Sequence, residues 1–134
     1  MKNKMLVVSL YTTLGSILSA CDSDIEIDQQ YQHVRVYKSD EATSCDMNSA
    51  ISVKTHGIEL INESIEIHCS QKGNDGYTYT EACGSDTGSI NIYTIHYGDL
   101  ATAENLGFNR LTNLPDAQFD DKCEYQVIPD RRKY

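Results

Sequence analysis

The sequence predicts a small α+β domain, and three observations carry that prediction. Short runs with apolar or aromatic residues at every second position alternate with two stretches of helical spacing. Turn signals rich in Gly, Asn, Asp and Ser separate them. Four cysteines beyond residue 40 lie in a chain long enough for one modest core only.

In chain order, residues 33–38 (HVRVYK) alternate in the manner of a half-buried strand. Residues 38–49 are loop-like and contain Cys45. Ser52 can then cap a helix whose Val53, Gly57, Leu60 and Ile61 share a face. A β-hairpin competes for this stretch, because Ile51 and Val53 also alternate and His56-Gly57 can turn. Ile65, Ile67 and Cys69 fall on one side of a second strand, which the turn signal of residues 71–76 ends. Tyr77, Tyr79 and Cys83 belong to a further extended piece. Residues 90–95 (INIYTI) are β-branched or aromatic at nearly every position and fit a central strand. Asp99 can cap a two-turn helix with Leu100, Ala101, Ala103 and Leu106, and Gly107 sits where a left-handed helix stop is expected. Residues 108–111 give a short strand, and residues 123–127 can add an edge strand.

The order β-α-β-β-α-β is the split βαβ arrangement of ferredoxin-like domains. Right-handed crossovers would pack both helices on one sheet face. With strands so placed, Cys45, Cys69 and Cys83 fall at one end of the sheet. All four cysteines, Cys45, Cys69, Cys83 and Cys123, are then expected to form two disulfides. Three pairings are possible, and this topology favours 45 with 69 and 83 with 123 over 45 with 83 and 69 with 123. Spacings without a C-x-x-C pair give no support to a zinc ribbon or a thioredoxin-type motif.

The first twenty residues stand apart from this domain. Lys2 and Lys4 precede an apolar run, residues 5–18, too short to span a bilayer core of roughly 30 Å. Small residues follow. Leu18-Ser19-Ala20-Cys21 resembles the lipobox of bacterial lipoprotein precursors, and the resemblance covers about the first twenty-two residues. It implies that residues 1–20 are a signal peptide, that the Cys21 thiol receives a diacylglyceryl group, and that its new amine is acylated, typically with palmitate. Several acyl chains on one residue anchor a protein far more firmly than one, at about 0.8 kcal/mol per buried methylene. Residues 21–32 would then be an acidic tether and residues 33–134 a single domain. Export also places the cysteines in an oxidising compartment.

Removal of Lys2 and Lys4 leaves 9 basic against 20 acidic residues, a net charge of −11. Such a surface argues against nucleic acid and anionic lipid, and permits a cationic partner. Asp22 after the lipidated cysteine resembles the residue that retains lipoproteins in the inner membrane of enteric bacteria. A periplasmic face of that membrane is therefore preferred to the outer membrane.

Catalytic and cofactor chemistry find no pattern here. Gly84-Ser-Asp-Thr-Gly88 invites an anion, but it lacks the ending of a phosphate loop and reads as a plain turn. His33, His56, His68 and His96 show no paired metal-ligand spacing. Asn74-Asp75 and residues 116–121 lack the ligand order of an EF-hand. Nine tyrosines without a tryptophan suit core edges or a recognition surface. No enzyme, metal or cofactor is expected. The expectation is a lipid-anchored envelope protein with a non-catalytic binding or structural domain and an envelope protein as partner. The alternative is an inhibitor protecting against a cationic envelope hydrolase such as lysozyme.

Overall fold

Ser-Ile-Asn-Ile-Tyr-Thr-Ile-His, the residues of β3 (Ser89–His96), alternate between two apolar environments, and the whole fold is arranged around them. The computed structural model describes residues 33–46 and 48–123. Their elements are β1 (His33–Ser39), α1 (Val53–Asn62), β2 (Ile67–Asn74), β3, α2 (Leu100–Asn105), β4 (Asn109–Arg110) and β5 (Gln118–Phe119). The strands form one antiparallel sheet in the order β4-β1-β3-β2-β5. The α+β expectation holds in this form: an antiparallel sheet, two helices and two disulfides.

β3 sends Tyr93 and Ile95 to one face, where Val36 of β1 joins them. Val53 and Leu60 of α1, Leu100 and Ala103 of α2, and Phe108 close that core, so both helices cover the same face. Ile90 and Ile92 point the other way and are covered by Leu111, Leu114, Ala117 and Phe119. Two buried faces explain why β3 carries almost no exposed polar position.

The stretch for which helix and hairpin compete forms α1, and side chains of β3 anchor its start. Asn91 Nδ2 donates to the Ile51 carbonyl at 2.9 Å, and the Tyr93 hydroxyl donates to the Val53 carbonyl at 2.5 Å. Ser52 then supplies the cap, its hydroxyl accepting from Thr55 N–H at 3.1 Å. Asn91 Nδ2 also lies 3.0 Å from His56 Nδ1 in the buried interior. An amide nitrogen can only donate, so Nδ1 accepts and the ring proton sits on Nε2. Burial holds the His56 pKa below its ordinary value.

Several expected boundaries move. β2 runs from Ile67 to Asn74, through the expected turn, because Gly73 pairs with Ile90 and Asn74 with Ser89. Gly73 is glycine for a steric reason: a Cβ there would lie 2.6 Å from Ile92 Cδ1 and 3.0 Å from the Gln118 carbonyl. Residues 75–88 form an irregular loop where a further extended piece is expected. Asp99 makes no side-chain cap to α2, which is instead preceded by a single 3₁₀ turn, Tyr97–Asp99. The added edge strand is Gln118–Phe119, and Cys123 lies outside it. The expectations for residues 1–32 (signal peptide, Cys21 lipidation, tether and Asp22) lie outside the described residues, as do residues 124–127.

Candidate functional site

The longest irregular segment among the described residues, 75–88, joins β2 to β3, and the chemistry that fixes it starts with a disulfide. Cys45 in the loop after β1 is bonded to Cys83, with Cα atoms 5.1 Å apart. Cys69 is bonded to Cys123, with Cα atoms 5.4 Å apart. This corrects the favoured pairing of 45 with 69 and 83 with 123. β2 begins near Cys69 and does not end there, which puts Cys69 at the far end of the sheet from Cys45 and Cys83. In a loop-entropy account, closing separations of 38 and 54 residues stabilises the fold by about 4 kcal/mol each.

Backbone bonds run alongside the first bridge. Ser44 N–H donates to the Ser85 carbonyl at 2.8 Å, Gly84 N–H to the Ser44 carbonyl at 2.9 Å, and Thr87 N–H to the Ala42 carbonyl at 3.2 Å. Beneath them Asp40, only 1% exposed, accepts from Ser89 Oγ at 2.7 Å, from Ala42 N–H at 2.9 Å and from Lys72 Nζ. Burial works to raise the Asp40 pKa. The hydrogen bonds from Lys72, Ser89 and Ala42 outweigh it and hold the carboxyl below its ordinary value. One carboxylate thus ties β1, β2 and β3 together at the base of the loop.

Asp75 organises the aromatic part of the segment. Its Oδ1 accepts from Tyr77 N–H at 2.8 Å and its Oδ2 from the Tyr79 hydroxyl at 2.5 Å. The hydrogen bond to Asp75 pushes the Tyr79 pKa up to about 12. The Tyr79 ring lies on Gly88, where a Cβ would stand 2.8 Å from Cε2 and where φ is +72°. Tyr77 and Tyr79 nevertheless remain 60% and 37% exposed. They line a shallow depression of about 310 Å³ with Thr80, Glu81, Asp86 and Thr87.

No protein-family model, curated protein or solved structure matches this chain. Cys45 and Cys83 are brought to the site, and Cys69 and Cys123 are not. Cys21 lies outside the described residues. The anion-cradle reading of residues 84–88 loses its donors, since the amides of Gly84, Ser85, Thr87 and Gly88 are already hydrogen-bonded within the protein. Of the tyrosines near predicted strands, Tyr93 is core, whereas Tyr77, Tyr79 and Tyr97 face solvent. Their exposure cannot be read from strand alternation, because residues 77–83 form no strand.

The histidines show what spacing hides. His33 opposes His96 across β1 and β3, and its ring lies 4.2 Å from His68 and 6.2 Å from His96. His96 Nδ1 accepts from Gly98 N–H at 3.0 Å. No group of three His, Cys, Asp or Glu side chains among the described residues is placed to hold a metal ion. No described helix is long and apolar enough to cross a membrane.

Proposed function

We propose that this chain is a lipid-anchored protein of the bacterial cell envelope whose folded part is a non-catalytic binding module, with the 75–88 loop as its recognition face. The observation that carries the binding reading is Tyr77: a large aromatic side chain, 60% exposed, on a loop locked by the Cys45–Cys83 bridge. Locked loops with exposed tyrosines suit recognition, because little conformational entropy remains to be lost on binding. The lipid anchor rests on the Leu18-Ser19-Ala20-Cys21 box and its basic and apolar forerunners. We also assign the sheet to the ferredoxin-like class, with β5 as an addition, on the neighbour order β4-β1-β3-β2.

The anchor and the recognition face would lie at opposite ends of the molecule. The chain enters β1 at His33, opposite His96, while the loop leaves from Asn74 and returns at Ser89, at the other end of β3. Eight residues of extended strand separate these ends by ~25 Å. A face turned away from the lipid would be available to another envelope protein, and nucleic acid is disfavoured by the acidic charge.

The second reading, an inhibitor protecting against a cationic envelope hydrolase such as lysozyme, is favoured by the net charge of −11 beyond residue 20. One experiment addresses both. Wild type and Tyr77→Ala, each purified from the envelope, are used to capture partners from envelope extract and are assayed against cell-wall hydrolases. The binding module predicts a partner captured by wild type and lost with Tyr77→Ala, without hydrolase inhibition. Hydrolase inhibition that Tyr77→Ala weakens favours the second reading. Capture and inhibition both indifferent to Tyr77→Ala would remove the loop from the function.

A further inference from the structure

We infer that the depression beside Tyr77 and Tyr79 receives a cationic side chain of the partner, an arginine guanidinium by its chemistry, an assignment that rests on reading the loop as the recognition face. Two kinds of group meet there. Tyr77 and Tyr79 offer exposed rings, whose faces carry negative quadrupole density and attract cations. Glu81 and Asp86 line the same depression, and no described lysine or arginine lines it.

Among the described residues, no ion pair takes up Glu81 or Asp86. The ion pairs among the described residues are Arg35–Asp121, Lys38–Glu59, Lys72–Asp40 and Arg110–Glu104, and each lies elsewhere. Asp86 uses Oδ1 to accept from Gly88 N–H at 2.8 Å, which fixes the carboxylate without neutralising it. Tyr79 gives its hydroxyl to Asp75, so what it presents to a partner is ring.

A guanidinium fits this combination better than an ammonium. It is planar, stacks on aromatic rings, and forms paired hydrogen bonds with carboxylates. The same chain uses the combination internally: Arg35 has its guanidinium carbon 5.0 Å from the centre of the Phe119 ring and pairs with Asp121 at 3.4 Å. The loop differs in that its tyrosines and acidic residues have no cation beside them among the described residues.

The test uses the processed, ¹⁵N-labelled protein in detergent micelles, titrated with a blocked Gly-Arg-Gly peptide and with its citrulline counterpart, equal in shape but uncharged. The arginine peptide is expected to shift the amides of Tyr77, Thr80, Glu81, Asp86 and Thr87 along a saturable curve. The citrulline peptide should bind at least about tenfold more weakly, and the doubly substituted Glu81→Gln, Asp86→Asn protein should lose about tenfold in affinity for arginine. Asn at 86 retains the acceptor for Gly88 N–H, so the loop should keep its shape. Equal binding of citrulline, shifts confined to other parts of the protein, or an unchanged affinity in the double variant would each overturn the assignment. If the arginine peptide fails while Tyr77→Ala still abolishes partner capture, the cation is wrong and the recognition face stands. If Tyr77→Ala leaves capture intact, both fall.

Discussion

Asp40 and His56 are buried to similar extents, yet acid should act on them in different pH ranges. His56 has its pKa lowered by burial, so above about 6.5 it is neutral in both folded and unfolded chains and adds no pH dependence. Below that value the unfolded chain takes up a proton first, and stability falls by up to ~1.4 kcal/mol per pH unit until the folded value is reached. His56→Asn keeps an acceptor near Nδ1 for Asn91 and removes the titration. Urea midpoints at pH 7.5 and 5.5 should therefore draw closer together in the variant than in wild type, although a small cavity lowers both. An equal separation of the two midpoints in both proteins would show that His56 does not titrate in this range. Asp40 has its pKa lowered from 3.8, so its contribution is complete above that value and is lost as pH falls through the folded value. Asp40→Asn should cost ~1–3 kcal/mol at pH 7, because the Lys72 pair and a charge-assisted bond from Ser89 weaken. Unfolding at pH 7 and pH 2.5 should show the gap between variant and wild type closing in acid. A gap independent of pH would mean that shape, and not charge, explains the cost.

At the scale of elements, local pattern explains what was legible in the sequence. β3 is readable because its apolar residues fill both faces, and α1 because Ser52 and the spacing of Val53, Gly57 and Leu60 agree. What was not readable is that the start of α1 is also anchored by Asn91 and Tyr93, some forty residues away in sequence. The end of β2 was hidden by Gly73 and Asn74, which look like a turn locally and are held in the ladder by Ile90 and Ser89. That one displaced boundary carried the disulfide pairing with it. For the candidate site, the cysteines and tyrosines were visible as residue types. Their convergence was not, because a loop closed by backbone bonds to residues 42–44 leaves no periodic trace. The Cys45–Cys83 bridge should matter more to this loop than to the sheet. Cys45→Ser with Cys83→Ser should lower the unfolding free energy by about 2–4 kcal/mol. Hydrogen exchange at residues 75–88 should quicken while β3 amides remain the slowest. Loss of protection in β3 to the same extent would show that the loop and sheet open as one unit.

The described part of the chain is polarised along the sheet, with His33 at one end and the tyrosine loop at the other. A lipid on Cys21 and an acidic tether of residues 22–32 would make that polarity useful, since like charges at Asp22, Asp24, Glu26 and Asp28 repel one another and favour extension. Which membrane holds the lipid then decides which partners the loop can reach. Asp22 stands directly after the cysteine, in the place of the residue that retains lipoproteins in the inner membrane of enteric bacteria. Wild type is expected in inner-membrane fractions, and Asp22→Ser is expected to move a large part of it to the outer membrane. Cys21→Ala serves as the control, since it should leave an unprocessed precursor without lipid by mass spectrometry. Membrane fractionation of the three proteins checks the expectation. Wild type recovered mainly from the outer membrane, and unmoved by Asp22→Ser, would reduce Asp22 to the first residue of a solvated tether and would put the proposed recognition loop within reach of outer-membrane partners instead.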